Sequence, residues 1–427
     1  MMGNKHFSRA QSMKRLLFII SLLVIANHYV HCQKIESYLD IAGLIDINDT
    51  DLLNQSLAYE PDFSRIRKVF NKAESGKDIT IGAIGGSITM GAAASAPEER
   101  WVNLVARWFQ HKYPDINVYL YNAGIGATNS KFGALRAYED LLKYNPDIVF
   151  FEFSVNDNVN DMVQEGAEGL IRQILQSGSS PGLIMLGMMN RWGDNVQELH
   201  IPLAEYYGVP FLSLRNVCAP RIANGSLEPE EILADDVHPN TVGHRLTARM
   251  IVLQLEKTCS NRTANTREVE KIPAPLYSDL LEKVSFIYAS ELLVSENSGW
   301  NLQEHAKTKQ QHWRLHGKPI IDLVWNAKKP GAVLSFDYEG TFLALTYYQY
   351  KAGSNAGSIK IEIDGNVNEV IKAEGEQTWG GLHKTEIIGP ELPAGKHKVR
   401  IELINKEKAS TGSVGFDIIA VGRGLKK

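Results

Sequence analysis

Ser87, Asn156, Asp235 and His238 are residue types that, brought together, can cleave an ester. A serine hydroxyl is a poor nucleophile until a base removes its proton, and an imidazole is suited to that task near neutral pH. His238 lies in the run Asp235-Asp236-Val237-His238-Pro239-Asn240. An aspartate three residues before a histidine reaches Nδ1 within one turn, which fixes the tautomer and turns Nε2 outward as the base. Asp235 is the expected orienting acid, and Asp236 is the second candidate. The N–H groups of Ser87 and of the small-residue loop 124–127, with the Asn156 amide, supply donors for a developing oxyanion. Ser87 follows Gly85-Gly86, and two glycines let the backbone turn tightly and come close to a substrate. Any one of these segments alone reads as a helix cap or a polar loop. Jointly they describe acyl transfer through a serine.

Such residues need a scaffold that holds loops in fixed positions. From residue 63 the hydrophobic pattern alternates between two periods. Phe63, Ile66, Val69 and Phe70 keep helical spacing, and 79–84 is a continuous apolar run of strand length. Further strands are expected at 118–121, 148–153, 183–186 and 209–214. Helices are expected between them and over 241–255. This βα alternation predicts a parallel sheet covered by helices on both faces. In such sheets ligands bind beyond the carboxyl ends of the strands. Ser87, the 124–127 loop and Asn156 each lie just past a strand.

These blocks, in this order, resemble those of the SGNH/GDSL hydrolase superfamily, over roughly residues 63–256. The resemblance implies a flavodoxin-like three-layer α/β/α hydrolase acting on esters without a metal or other cofactor. It also implies Ser87 as nucleophile, His238 as base, Asp235 as its partner and Asn156 as an oxyanion donor. Three positions depart from the family pattern. Gly86 stands where an aspartate is usual. Ala127, beside Gly126, takes the place of a glycine whose N–H completes the oxyanion hole with that of Ser87. Ser154 replaces a glycine two residues before Asn156 and is expected to narrow the pocket.

Asn190-Arg191-Trp192 follows the fourth strand and so belongs near the site. Arg191 is a candidate for binding substrate, and Trp192 for stacking on a sugar. His200 and His244 read as packing or surface residues. Trp300, Trp313, Trp325 and Trp379 read either as sandwich core or as a sugar-stacking face.

The whole chain has 427 residues, 44% of them hydrophobic and 22% charged. Disorder, collagen-like repeats and a disulfide-dense scaffold are excluded, and the length predicts about two domains. Lys14 and Arg15, the apolar run 16–26 and small residues near Cys32 describe a signal peptide over 1–32, with secretion or export to a periplasm. Lipid attachment at Cys32 is the lesser alternative. Cleavage removes Lys5, Arg9, Lys14 and Arg15 and no acid, so the formal charge moves from −4 to −8. Neither value suits nucleic acid, and no apolar run reaches membrane-spanning length. Cys218 and Cys259 remain, either a disulfide, which is the expectation, or two free thiols.

The expected layout is an N-terminal extension at 33–62, the hydrolase at 63–258, a linker at 259–283 and a β-sandwich at 284–427. Asp364-Gly365 between alternating runs marks a hairpin in that sandwich. A jelly-roll-like module on such a hydrolase resembles secreted carbohydrate esterases. The expected function is therefore a secreted serine esterase removing short acyl groups from a carbohydrate or another small ester. A lipid or aryl esterase of the same superfamily and an inactive carbohydrate-binding protein are the alternatives.

Overall fold

A computed structural model describes residues 38–41, 46–61, 63–158, 163–260, 271–305, 314–315, 318–319, 323–405 and 415–425. The expected leader and Cys32 lie outside these residues, as does Trp313. Ten helices are described: α1 (Asp49–Ser56), α2 (Ser64–Glu74), α3 (Ser87–Met90), α4 (Trp101–Lys112), α5 (Ser130–Asp140), α6 (Val163–Gln176), α7 (Gln197–Tyr207), α8 (Leu214–Ala223), α9 (Pro229–Ile232) and α10 (Thr241–Ser260). Between them run β1 (Leu57–Tyr59), β2 (Ile79–Gly85), β3 (Val118–Gly124), β4 (Ile148–Glu152), β5 (Gly182–Gly187) and β6 (Phe211–Ser213).

These six strands form one sheet in the order β1-β6-β5-β4-β2-β3. Neighbours from β6 to β3 are parallel. The chain order therefore reverses at β2, which lies between β3 and β4, the kind of switch point beyond whose strand ends ligands bind in open parallel sheets. Every residue of β4 and β5 is buried, as expected for strands covered on both faces. Helix α4 shows how one cover forms. Trp101, Leu104, Val105 and Trp108 recur at helical spacing and are fully or almost fully buried.

The sheet is mixed, where the sequence predicted a purely parallel one. Leu57–Tyr59, expected to be part of an extension, pairs antiparallel with β6 and closes an edge that would otherwise leave backbone groups open. Leu39, Ile41, Ile47 and Leu52 join the same apolar core as α4 and α10.

The second unit contains β7 (Val284–Tyr288), β8 (Val294–Ser298), β9 (Trp300–Glu304), β10 (Arg314–Leu315), β11 (Lys318–Pro319), β12 (Leu323–Ala327), β13 (Val333–Gly340), β14 (Leu343–Gln349), β15 (Ser358–Ile363), β16 (Asn366–Lys372), β17 (Leu382–Ile388), β18 (Gly395–Asn405) and β19 (Phe416–Gly424). One antiparallel sheet runs β17-β14-β19-β12-β9, with β7 also on β19; a second runs β16-β15-β18-β13-β8. The hairpin at Asp364-Gly365 joins β15 to β16, both residues at positive φ.

Strand β14 explains how the two units meet. Leu343, Leu345 and Tyr347 point into the sandwich core. Ala344 and Tyr348, one residue out of phase, belong to a core shared with Phe132, Leu135, Ala167 and Leu170 of α5 and α6. Strands β14 and β19 of this sheet are thus buried on both faces, and the hydrolase supplies one of the covers.

The segment expected as a linker is pinned where it is described. Buried Glu168 of α6 accepts hydrogen bonds from the N–H groups of Leu276, Tyr277 and Ser278 at 2.5–2.7 Å. Arg172 pairs with Glu282 at 3.0 Å and donates to the Pro273 carbonyl at 2.7 Å. Glu168 and Arg172 lie on α6, about a hundred residues upstream, so composition alone reads the stretch as loose.

The expected disulfide is absent: Cys218 and Cys259 are free thiols. Cys218, on α8, is buried in the apolar core, and burial pushes its thiol up to about 12. Cys259, on α10, lies 3.8 Å from the Tyr113 hydroxyl instead.

Candidate active site

The four segments singled out in the sequence meet at the strand ends where the sheet order reverses. Strand β2 ends at Gly85, Gly86 caps α3, and Ser87 is the first helical residue, 8% exposed. Gly91 ends this single turn at φ 94, with its N–H returning to the Ser87 and Ile88 carbonyls. A left-handed residue is needed there, and glycine takes that conformation without penalty.

Ser87 Oγ lies 2.9 Å from His238 Nε2, and His238 Nδ1 lies 2.7 Å from Asp235 Oδ2. The other oxygen, Asp235 Oδ1, accepts from the N–H groups of Val237 and His238 at 2.8 and 2.7 Å. Asp235 is therefore locked into the turn that also carries His238. Partial burial works to raise the Asp235 carboxyl, but the hydrogen bonds from the His238 ring and from the two N–H groups outweigh it and leave it below the ordinary aspartate value. The carboxylate therefore stays charged beside the His238 ring.

Asp236 does not compete for that place. Its carboxylate pairs with Arg191 at 3.1 Å, and its carbonyl accepts the Arg191 N–H at 2.9 Å. Arg191 also pairs with Glu230. The guanidinium expected to bind substrate is thus held by two carboxylates and ties the β5 loop to the histidine loop. Trp192, by contrast, is 67% exposed beside that clasp.

Gly124, Gly126 and Ala127 line the end of β3. A Cβ at Gly124 would fall 2.3 Å from the Met90 nitrogen, so only glycine lets this loop lie against α3. Asn122 secures the approach, its Nδ2 donating to the Thr89 carbonyl at 2.8 Å and its Oδ1 accepting from Gly124 N–H at 2.9 Å. Ala127 sits at φ 55, a conformation that costs a non-glycine residue about 1 kcal/mol or more.

Asn156 follows β4 in a turn whose N–H groups bond the Phe153 carbonyl. A Cβ on Gly86 would sit 2.1 Å from Asn156 Oδ1. The family's aspartate position is thus filled in space by the Asn156 amide, which explains the departure at Gly86. Ser154 is fully buried and bonds the Met188 N–H at 2.7 Å and the Met188 carbonyl at 3.3 Å. Its hydroxyl ties the segment after β4 to the segment after β5 through the Met188 backbone groups.

Other residues that read as packing do pack. His244 is buried, its Nε2 3.0 Å from the Ala92 carbonyl, and burial pushes its ring down to about 4. His200 pairs with Asp157 at 2.9 Å, both side chains fully buried. Asp157 also accepts the Ser130 N–H at 2.8 Å, which anchors the start of α5 beside the loop. Trp300 is buried in the sandwich core, Trp325 packs on it, and Trp379 is exposed.

Sequence reasoning missed two buried groups under the site. Glu152, at the end of β4, accepts from the Thr89 hydroxyl at 3.0 Å, and burial pushes its carboxyl up to about 7. Arg136 of α5 donates to the carbonyls of Ala123 and Gly85 at 2.7 and 3.3 Å and pairs with Asp140 at 3.0 Å. Both residues interrupt otherwise apolar faces, and that interruption was the available signal.

Residues 83–246 match the GDSL-like lipase/acylhydrolase family. No curated protein matches the chain in sequence. The crystal structure of a two-domain esterase active on acetylated mannans is 29% identical and superposes with a TM-score of 0.75, covering 88% of this chain and 99% of that one. The structure of that esterase co-crystallised with mannopentaose gives a TM-score of 0.74 at 29% identity, over 88% and 98% of the two chains. The likeness extends through the second unit, so the arrangement of the two units is shared as well as the hydrolase fold. Residues 83–246 are thus a GDSL-like lipase/acylhydrolase domain, and a C-terminal antiparallel β domain follows it.

Proposed function

We propose that the protein is a secreted serine esterase that removes O-acetyl groups from a polysaccharide, with acetylated mannan as the leading substrate. The observation that carries the reaction is the continuous relay Asp235–His238–Ser87 at 2.7 and 2.9 Å. His238 Nε2 takes the Ser87 proton as Oγ attacks the acetyl carbonyl, and Asp235 stabilises the imidazolium. The oxyanion receives N–H groups from Ser87 and from Gly126 or Ala127, and the Asn156 amide. His238 returns its proton to the departing sugar oxygen. It then activates water to hydrolyse the acetyl-serine and free acetate.

The substrate class is supported by the similar two-domain esterase, which is active on acetylated mannans. Exposed Trp192, beside the histidine loop, is a stacking surface for a sugar ring. Secretion rests on the signal-peptide pattern of residues 1–32. The test is acetate release from a panel of acetylated mannan, xylan and pectin, alongside an aryl ester series from acetate to octanoate. The expected outcome is fastest release from mannan, a decline with acyl length, and at least a thousandfold loss in Ser87→Ala. A preference for octanoate would make the enzyme a lipid esterase, and an active Ser87→Ala would remove Ser87 from the mechanism.

A further inference from the structure

The β domain reaches the oxyanion loop directly. Among the described residues strand β17 ends its sheet, and one of its edges lacks a strand neighbour. From that edge the His383 N–H donates to the Ala127 carbonyl at 3.1 Å. The His383 ring is 1% exposed and lies beside the carbonyls of Gly126 and Ala127. It packs edge-on to Tyr348 at 5.7 Å between ring centres, with His305 6.4 Å away. Burial, reinforced by His305, pushes its ionisation down to about 3, so the ring meets the loop uncharged.

A second path leads from the β domain to the same strand ends. The Tyr288 hydroxyl of β7 donates to Asp140 at 3.1 Å. Asp140 pairs with Arg136, which holds the carbonyls of Gly85 and Ala123. Gly85 lies two residues before Ser87, and Ala123 four before Ala127. Ala127 itself occupies a left-handed conformation that a free loop would tend to leave.

We propose that the β domain is a working part of the oxyanion hole, with His383 as a positioning residue that holds the 126–127 loop in its productive shape. This rests on the serine esterase reading above. The consequence is that a contact made by a domain outside the hydrolase fold sets kcat, whatever else that domain binds.

The test compares His383→Ala with His383→Pro in the full-length protein. Alanine removes the ring and keeps the N–H; proline removes both. Proline is tolerated on an edge strand where the N–H is not part of the ladder. On an aryl acetate, kcat of His383→Pro should fall ten- to a hundredfold below that of His383→Ala. KM should stay within about threefold, and the pH profile should keep its shape because His238 is untouched. Ala127→Gly added to His383→Pro should recover part of the loss, since glycine adopts this φ without strain. Equal kcat values for the two single variants, or a loss confined to KM, would overturn the proposal. If thermal melting shows His383→Pro to be unfolded, Tyr288→Phe decides: a fall in kcat at constant KM supports the proposal, and unchanged kcat refutes it. Ser87→Ala is measured in parallel. If it is inactive while His383→Pro is fully active, only the positioning role fails; if it is active, the serine mechanism fails.

Discussion

At Gly86, one missing side chain makes room for another. The Asn156 amide occupies the space a Cβ would need, its Oδ1 2.1 Å from that position. Gly86→Ala should therefore displace Asn156 and lower kcat about a hundredfold, the typical effect of losing one oxyanion donor, with KM little changed. Steady-state kinetics on an aryl acetate checks this; a variant with unchanged kcat would separate Asn156 from the oxyanion. Glu152 supplies a pH dependence at the same scale. Burial pushes it from 4.5 to about 7. Between those values the folded protein keeps a proton that the unfolded chain has released, so its contribution to stability falls as pH rises. At about 1.4 kcal/mol per pH unit the fall amounts to about 3 kcal/mol. Glu152→Gln cannot titrate, so the stability difference between wild type and variant should drift against wild type by about that amount between pH 4.5 and 7.5. Urea melts at both pH values measure it, and a constant difference would contradict the buried-acid account.

Elements explain what the sequence could and could not show. Most of the parallel strands were legible because buried strands leave continuous apolar runs, as in 148–153. Ser87, the 124–127 loop and Asn156 were legible because each lies just past a strand, whereas Asp235 and His238 precede α10 and were legible by their own spacing. Ser87, Asn156 and Asp235-x-x-His238 could be placed by order alone. Strand β1 was not legible, since three residues carry no periodicity and only the open edge of β6 gives them a partner. The segment 271–283 read as a linker because its order comes from Glu168 and Arg172, more than a hundred residues upstream by way of α6. The clasp on Arg191, a substrate-binding candidate in the sequence, was not legible because its two carboxylate partners stand about forty residues away. Glu168 turns this into a prediction. Removing it by Glu168→Ala leaves the Leu276, Tyr277 and Ser278 N–H groups and the Tyr207 hydroxyl without their acceptor. The loss should be about 2 kcal/mol, read as a lowered thermal midpoint with the rate on a soluble aryl acetate conserved below it. An unchanged midpoint would mean the segment is held by other contacts.

At the scale of the whole molecule, a single apolar core runs from α5 and α6 through Phe286, Phe342 and Ile419 of the β domain. The hydrolase is built against the sandwich and does not merely precede it. Among the described residues no helix is long and apolar enough to cross a membrane, and the reaction is proposed for a polymer outside the cell. The central claim is that this scaffold makes one serine nucleophilic, and the intact mass of the chain after treatment with an organophosphonate ester tests it most directly. One adduct per chain is predicted, located on the peptide containing Ser87, absent in Ser87→Ala and formed at least a hundredfold more slowly in His238→Ala. Labelling of Ser87→Ala at the wild-type rate would contradict the account.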